Sequence, residues 1–483
     1  MFALKSVLKK PNLVTLNPLA FAVASLIMIT TNVGATNGYY TLGYSAKDKG
    51  TAGASIARAT DALSMATNPA SVLHVGDRFD LGLNLFMPVR EYEVSGTPSL
   101  PEGFSPVIGN IPSCSSPGME PCQIPFSIGE QNIESGREYF FIPNFAYVKQ
   151  LDDSSAVGIS FYGNGGMNTT YNGGTANLFD PQTNQIVTSE GTFGSGRTGV
   201  DLTQVFLNIS YAWKMNDSLD LGIAIIGAMQ SFRAEGLAPF ANNSLRPDKL
   251  TDNGYDFSFG LGFKVGVTYQ ATDDLSLALS HQSKQKMSKF EEYSGLFADG
   301  GNFDMPSSFK AGLAYDISSS LTVLADYQRI NYEGVASVSN SVSNLIDGQC
   351  LDALNNTLFS GSPSPASGPG CLGGENGAGF GWSDMDVYKI GLRLNHEGNT
   401  YRLGISSSKQ PIKSTEVNFN ILAPAVIENH FAAGFTTFID GREWTFFGMY
   451  MPSTSVTGQS LFDPAQTITF KMHQYEFGLA IKF

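Results

Sequence analysis

Charge is scarce in this 483-residue chain: Asp, Glu, Lys and Arg make up 15% of it, against roughly 25% in typical soluble domains. A basic excess is absent too. Lys and Arg number 29 against 43 Asp and Glu, for a formal net charge of −14. That excludes a nucleic-acid binder, which needs a basic face. No long hydrophobic run exists. The longest apolar stretch, residues 19–29, covers 11 residues, and a membrane-crossing helix needs about 20. The hydrophobic fraction of 42% is too high for a disordered chain. Catalytic motifs are missing as well. His74, His281, His396, His430 and His473 are scattered, with no HExxH or CxxC…H spacing. No GxSxG elbow, P-loop or GxGxxG before a helix occurs. Ser283-Lys284-Gln285-Lys286 matches SxxK, but its usual SDN and KTG partners are absent, and chance accounts for it. The sequence does not read as an enzyme.

What is present is glycine, 52 residues or about 11% against a usual ~7%, together with 12% aromatics. Low charge, high glycine and many aromatics without a long apolar run fit an outer-membrane β-barrel. The first residues read as an export signal. Lys5, Lys9 and Lys10 precede the apolar run, and Val33-Gly34-Ala35 offers small residues for cleavage. Residues 1–35 are therefore the expected signal peptide, and Thr36 begins the mature chain. Export implies an oxidising compartment. The four cysteines fall into two local pairs, Cys114 with Cys122 and Cys350 with Cys371, in Pro/Ser/Gly-rich stretches. Two loop disulfides are expected. A metal site competes, but neither pair has CxxC spacing or an adjacent histidine.

Period-2 alternation runs through the body of the chain, and it marks strands with two unlike faces. Phe257, Phe259, Leu261, Phe263, Val265, Val267 and Tyr269 alternate with Ser258, Gly260, Gly262, Lys264, Gly266 and Thr268. The C-terminus repeats the pattern with Tyr475, Phe477, Leu479, Ile481 and Phe483. Alternation alone does not separate a soluble sandwich, whose apolar face turns inward, from a membrane barrel, whose apolar face meets lipid. The export signal and the terminal aromatic strand favour the barrel. Fourteen strands are expected, near 78–95, 138–150, 155–167, 199–214, 218–234, 255–271, 275–292, 306–317, 320–335, 384–396, 399–409, 429–440, 442–457 and 467–483. Short and long links alternate between them, as in bacterial barrels with short periplasmic turns. An even strand count leaves no open edge to face lipid. Tyr211, Trp213, Tyr269 and Trp444 suit interfacial girdles. The predicted fold is an all-β, 14-stranded antiparallel transmembrane barrel over residues 78–483.

Residues 36–77 fall outside that scheme. They are rich in small residues and lack a lipid-facing alternation. Thr60 or Asp61 is positioned to cap a short helix across residues 62–66. The segment is either a periplasmic tail or a small N-terminal hatch, a plug that packs inside a lumen which would otherwise leak.

Gly43, Gly50, Gly53, Ala54, Asp61 and Asn68-Pro69-Ala70, followed by Phe79, resemble the start of the FadL-type outer-membrane transporters of long-chain fatty acids and other hydrophobic compounds. Pro143-Asn144-Phe145-Ala146-Tyr147, Asp326-Tyr327, Tyr332 and Ile421-Leu422-Ala423-Pro424-Ala425-Val426-Ile427-Glu428 extend the likeness over essentially all of the mature chain. Two features depart from the family: the loop at 336–383 is long, and those at 235–254 and 293–305 are short.

The resemblance implies a mechanism. Cargo lands in an apolar groove between the third and fourth external loops, here holding Leu237, Phe240 and Leu245, and Leu296, Phe297 and Phe303. It moves to a pocket inside the barrel. Movement of the hatch, whose hallmark is Asn68-Pro69-Ala70, opens a path to the wall, where a kink in the third strand lets cargo out sideways. Gly163-Asn164-Gly165-Gly166 is the place for that kink, since glycine in a strand marks a bulge or bend; an ordinary strand end competes. For the loop aromatics, packing of the loops on themselves competes. Lumen-facing Lys264, Lys310, Arg393 and Arg402 would pair with a carboxylate headgroup or with the hatch. No cofactor is required. The expected partners are hydrophobic small molecules (fatty acids or aromatic hydrocarbons), outer-membrane lipid and the barrel-assembly machinery through Phe483, with the barrel a monomer. A diffusion porin and an adhesive surface barrel are the competing functions.

Overall fold

The computed structural model describes residues 37–99, 102–103, 126–180, 183, 185–350 and 365–483. The expected signal peptide lies outside these residues. Cys114 and Cys122, the first expected disulfide pair, also lie outside them. Fourteen antiparallel strands among the described residues form one closed barrel. They are β1 (Arg78–Ser95), β2 (Phe140–Asp152), β3 (Ser155–Asn168), β4 (Gly199–Asn216), β5 (Leu219–Glu235), β6 (Asp256–Thr272), β7 (Leu275–Gln282), β8 (Ser308–Asp316), β9 (Leu321–Ile330), β10 (Met385–His396), β11 (Asn399–Ser408), β12 (Asn429–Ile439), β13 (Arg442–Gln459) and β14 (Thr467–Lys482). Each pairs with its neighbours in the chain, and β14 returns to β1 in a register running from Asp80 opposite Lys482 to Ser95 opposite Thr467. Phe483 extends the seam: its amide donates to the Phe79 carbonyl at 2.8 Å.

The faces are inverted relative to a soluble protein. Phe257, Phe259, Leu261 and Phe263 on β6 stand outward and are exposed, while Ser258 and Lys264 between them are buried. An apolar outer face is stable only against lipid, and the polar inner face then lines the lumen. Tight turns join the strands at one end. Glu397-Gly398 and Asp440-Gly441 each hold two successive positive φ angles, the geometry whose twist matches a two-residue hairpin. Long connections lie at the other end. A small sheet built from Phe126–Ile128, Thr175–Asp180 and Gln185–Glu190 joins the first two of them.

Two expected strands end early. β7 stops at Gln282, not near 292, because Gln285 folds back onto the inner face of β6, where a Cβ on Gly262 would lie 2.1 Å from its Oε1. β9 stops at Ile330, not near 335, because Tyr332 turns inward to accept a hydrogen bond from the Tyr39 amide at 3.1 Å.

Residues 37–77 pack against the lumen-facing side chains of the barrel, and nearly all are buried. They hold α1 (Ala46–Gly50), capped by Ser45, and two 3-10 turns, Ala62–Ala66 and Pro69–His74. Asp61 caps the first turn, its carboxylate accepting from the Ser64 amide while the Ser64 hydroxyl accepts from the Asp61 amide. Ion pairs fasten the segment to the wall: Lys49 to Glu476 at 2.5 Å, Lys47 to Glu443 at 2.7 Å and Arg58 to Asp316 at 2.5 Å. The Asp326 carboxylate accepts from the Ser55 and Ile56 amides. Each pairing removes the cost of a lone buried charge.

Candidate functional site

Strand β3 leaves the wall part-way along. It pairs with β2 from Asp152/Ser155 as far as Phe145/Phe161, and there that pairing stops. Beyond this point β2 keeps β1, and β3 keeps β4. The β3–β4 register slips between Gly163 and Gly165, leaving Asn164 as an extra residue, a β-bulge. From 162 to 168 every residue of β3 is buried on both faces, so the strand runs inward. Its new partner is the N-terminal segment: Tyr40 bridges Gly165, the Thr41 amide donates to the Asn164 carbonyl at 2.9 Å, and the Gly166 amide donates to the Tyr39 carbonyl at 3.1 Å. The four residues Gly163, Asn164, Gly165 and Gly166 thus sit at a break between β2 and β3.

Asn68-Pro69-Ala70 presses on the inner face of β5 and β6. Asn68 Oδ1 accepts from the Ala70 amide at 3.1 Å, and its Nδ2 donates to Thr268 Oγ1 at 3.0 Å. The strands beneath carry glycine where it touches. A Cβ on Gly266 would lie 2.1 Å from Asn68 Oδ1, and one on Gly222 2.3 Å from the Ala70 amide. Of the four lumen cations, Lys264 donates to the Ala66 carbonyl and Lys310 lies 5.2 Å from the centre of the Tyr44 ring, both within residues 37–77. Arg402 instead donates to Thr436 on β12 at 2.6 Å, and no partner is found for the buried Nε of Arg393 among the described residues. Lys389, which the sequence did not single out, donates to the Leu42 carbonyl at 2.9 Å.

Two pockets flank this arrangement. The outer one is almost wholly apolar and lies among the long loops. Leu237, Phe240, Leu296 and Phe297 line it. Leu245 does not and is 40% exposed; Phe303 lies behind Phe297, ring centres 4.8 Å apart. Leu372, Phe380, Phe419 and Leu422 complete the lining from two other loops, 331–384 and 409–428. The apolar run around Ile421 was the available signal for the last two. Of the two expected disulfides, the one between Cys350 and Cys371 is formed, within the 331–384 loop. The other, between Cys114 and Cys122, falls outside the described residues.

The inner pocket is bounded by Gly38, the inward part of β3 (Gly166, Met167 and Asn168), Thr169, residues 423–425, Ile427, Met472, Gln474 and Arg90. The Arg90 side chain is buried. It donates to the Arg137 carbonyl at 3.2 Å and lies 5.8 Å from the centre of the Phe140 ring, while Asp201 is engaged by Arg137. Among the described residues Arg90 has no ion-pair partner. Aromatic rings span the distance between the pockets: Phe297 to Phe303, Phe303 to Tyr39 at 6.1 Å, and Tyr39 to Trp382 at 5.7 Å, with Gly38 next to Tyr39 at the inner pocket.

A closed barrel with an apolar outer face, an apolar pocket among its long loops and a second pocket behind it has the architecture of an outer-membrane channel for hydrophobic compounds. The chain belongs to the outer membrane protein transport family (OMPP1/FadL/TodX), whose profile matches residues 26–323. That family and this fold are those of transport channels rather than enzymes. Solved structures share the architecture. The toluene transporter TodX of P. putida superposes with a TM-score of 0.59 at 16% identity, covering 93% of this chain and 99% of TodX. A Pseudomonas aeruginosa FadL homologue gives 0.58 at 13%, covering 92% and 99%. The Ralstonia pickettii toluene transporter TbuX gives 0.51 at 15%, covering 93% and 98%. A search of curated sequences finds no significant match.

Proposed function

We propose that this barrel takes up carboxylate-bearing hydrophobic molecules, most of all long-chain fatty acids, by passive diffusion. The single observation that carries the choice of cargo is Arg90. A buried guanidinium with no ion-pair partner among the described residues, beside Met167, Met472 and Ile427, suits an anionic head attached to an apolar chain. The outer pocket captures the cargo, and the aromatic rings lead it to the inner pocket. Residues 36–77 act as the hatch, anchored by Asn68, Pro69 and Ala70. The break at residues 163–166 releases the cargo sideways into the outer membrane. Water is avoided throughout, which matters because each exposed CH₂ costs about 0.8 kcal/mol. Downstream consumption drives net flux without a cofactor. Residues 1–35 serve as the export signal, Phe483 is read by the assembly machinery, and the barrel works as a monomer.

A second reading is uptake of monoaromatic hydrocarbons, supported by the toluene transporters among the structural relatives. Expression in a Gram-negative host lacking its own fatty-acid transporter separates the two. Labelled palmitate and a labelled alkylbenzene are supplied together. Palmitate uptake supports the carboxylate reading, uptake of the alkylbenzene alone replaces it with the second, and uptake of neither contradicts transport of both classes.

A further inference from the structure

The outer pocket has a roof that comes from neither the third nor the fourth external loop. Residues 371–374 of the 331–384 loop run between the two. On one side the Leu372 amide donates to the Asn243 carbonyl at 2.9 Å, and the Leu245 amide donates to the Leu372 carbonyl at 3.0 Å. On the other side the Gly300 amide donates to the Gly373 carbonyl at 3.0 Å, and the Asp299 amide donates to the Gly374 carbonyl at 2.7 Å. Leu372 points into the pocket. Gly373 passes so close to the fourth loop that a Cβ there would stand 2.5 Å from the Ser294 carbonyl oxygen.

Cys371 and Leu372 are buried, and the contacts of this stretch with the two neighbouring loops are made by its backbone. The sequence from Gly368 is Gly-Pro-Gly-Cys-Leu-Gly-Gly, so Leu372 is its one large apolar side chain. Four backbone hydrogen bonds are individually weak once water competes for them, and they can part without disturbing the barrel. Cys371 is different. It is covalently tied to Cys350, which follows a turn whose Val342 and Leu345 are buried. The bond leaves the stretch free to lift but limits how far it goes.

We infer that residues 371–374 form a disulfide-tethered strap across the outer pocket, with Leu372 as its plug, and that the strap sets the size of cargo admitted. This rests on the proposed role of the outer pocket in capture. It assigns Leu372 as the residue that determines chain-length preference and the bond between Cys350 and Cys371 as the stop that limits opening. A long acyl chain needs the strap lifted further than a short one does.

The test is a ratio. Uptake of labelled palmitate and labelled octanoate is measured in the same transporter-deficient host and normalised to the amount of barrel in the outer membrane. The double variant Cys350→Ala with Cys371→Ala removes the stop, and the palmitate-to-octanoate ratio rises several-fold. Leu372→Ala keeps the disulfide and raises the ratio as well, so the proposal stays testable if the cysteine variant assembles poorly. Leu372→Trp fills the pocket mouth and lowers it. A ratio that stays at the wild-type value in both Leu372 variants overturns the strap and leaves uptake itself standing.

Discussion

A Cβ on Gly165 would stand 1.6 Å from the carbonyl oxygen of Tyr39. The bulged strand and the N-terminal segment meet backbone to backbone at this position, and a side chain cannot fit between them. Gly165→Val therefore undocks residues 37–41 from β3 while leaving the β1–β14 seam untouched. The expected result is a full-length barrel in the outer membrane whose Tyr39 region becomes open to protease. Protection equal to the wild type contradicts the contact.

The Asn68 anchor is predicted to act through its cap and its fit to glycine. Asn68→Ala loses the bond to the Ala70 amide, worth about 1 kcal/mol for a cap of this kind. Gly266→Val instead drives a side chain into Asn68 from the wall. Both changes loosen residues 37–77, seen as raised hydrogen exchange there and unchanged exchange in β13 and β14. Uptake falls together with the anchoring if the segment gates the channel.

Arg90 is predicted to discriminate between cargo classes. A hydrogen bond to a charged group contributes about 1.5–3 kcal/mol, and about 1.4 kcal/mol is tenfold. Arg90→Met therefore reduces palmitate uptake about tenfold or more and leaves the alkylbenzene unchanged. Equal loss of both places Arg90 in the scaffold rather than in recognition.

Asp61 gives the N-terminal segment a pH dependence. Burial, with the Asp48 and Asp80 carboxylates nearby, pushes its carboxyl from an ordinary 3.8 up to about 6, against the opposing pull of Lys47 and Arg78. The folded state holds this proton more tightly than the unfolded one, so its contribution to stability is greatest below pH 3.8. It declines as pH rises through about 6 and is lowest above that. In a planar bilayer, single-channel openings become more frequent as the pH is raised through that window. Asp61→Asn keeps the cap and flattens the profile; a wild-type profile in that variant assigns the titration elsewhere.

The strands were legible because lipid on one face and lumen on the other impose strict alternation, as on β6 from Phe257 to Tyr269. The ends of β7 and β9 were not, since Gln285 and Tyr332 turn inward for partners distant in the chain. Four of the six loop residues expected in the groove line the outer pocket, because apolar side chains in polar loops have few places to go. Leu372 was invisible: it is one leucine in a Gly/Pro/Ser tract, and its position depends on hydrogen bonds to two other loops. Arg90 was equally hidden, as one polar residue among many on an inner face. It stands out only once closure shows which cations have partners. The inner glycines, Gly222 and Gly266, looked like ordinary small residues of a polar face until Pro69 and Asn68 were seen against them.

The proposed sideways release into the membrane depends on the bulge at Asn164. Deleting Asn164 removes the extra residue, so the β3–β4 register runs without a slip and the upper part of β3 returns to the wall beside β2. Uptake of labelled palmitate by cells carrying this variant, with the barrel correctly inserted, is the measurement. Uptake is expected to fall to the level of cells without the barrel. Uptake at the wild-type level from an inserted, continuous-walled barrel would contradict sideways release.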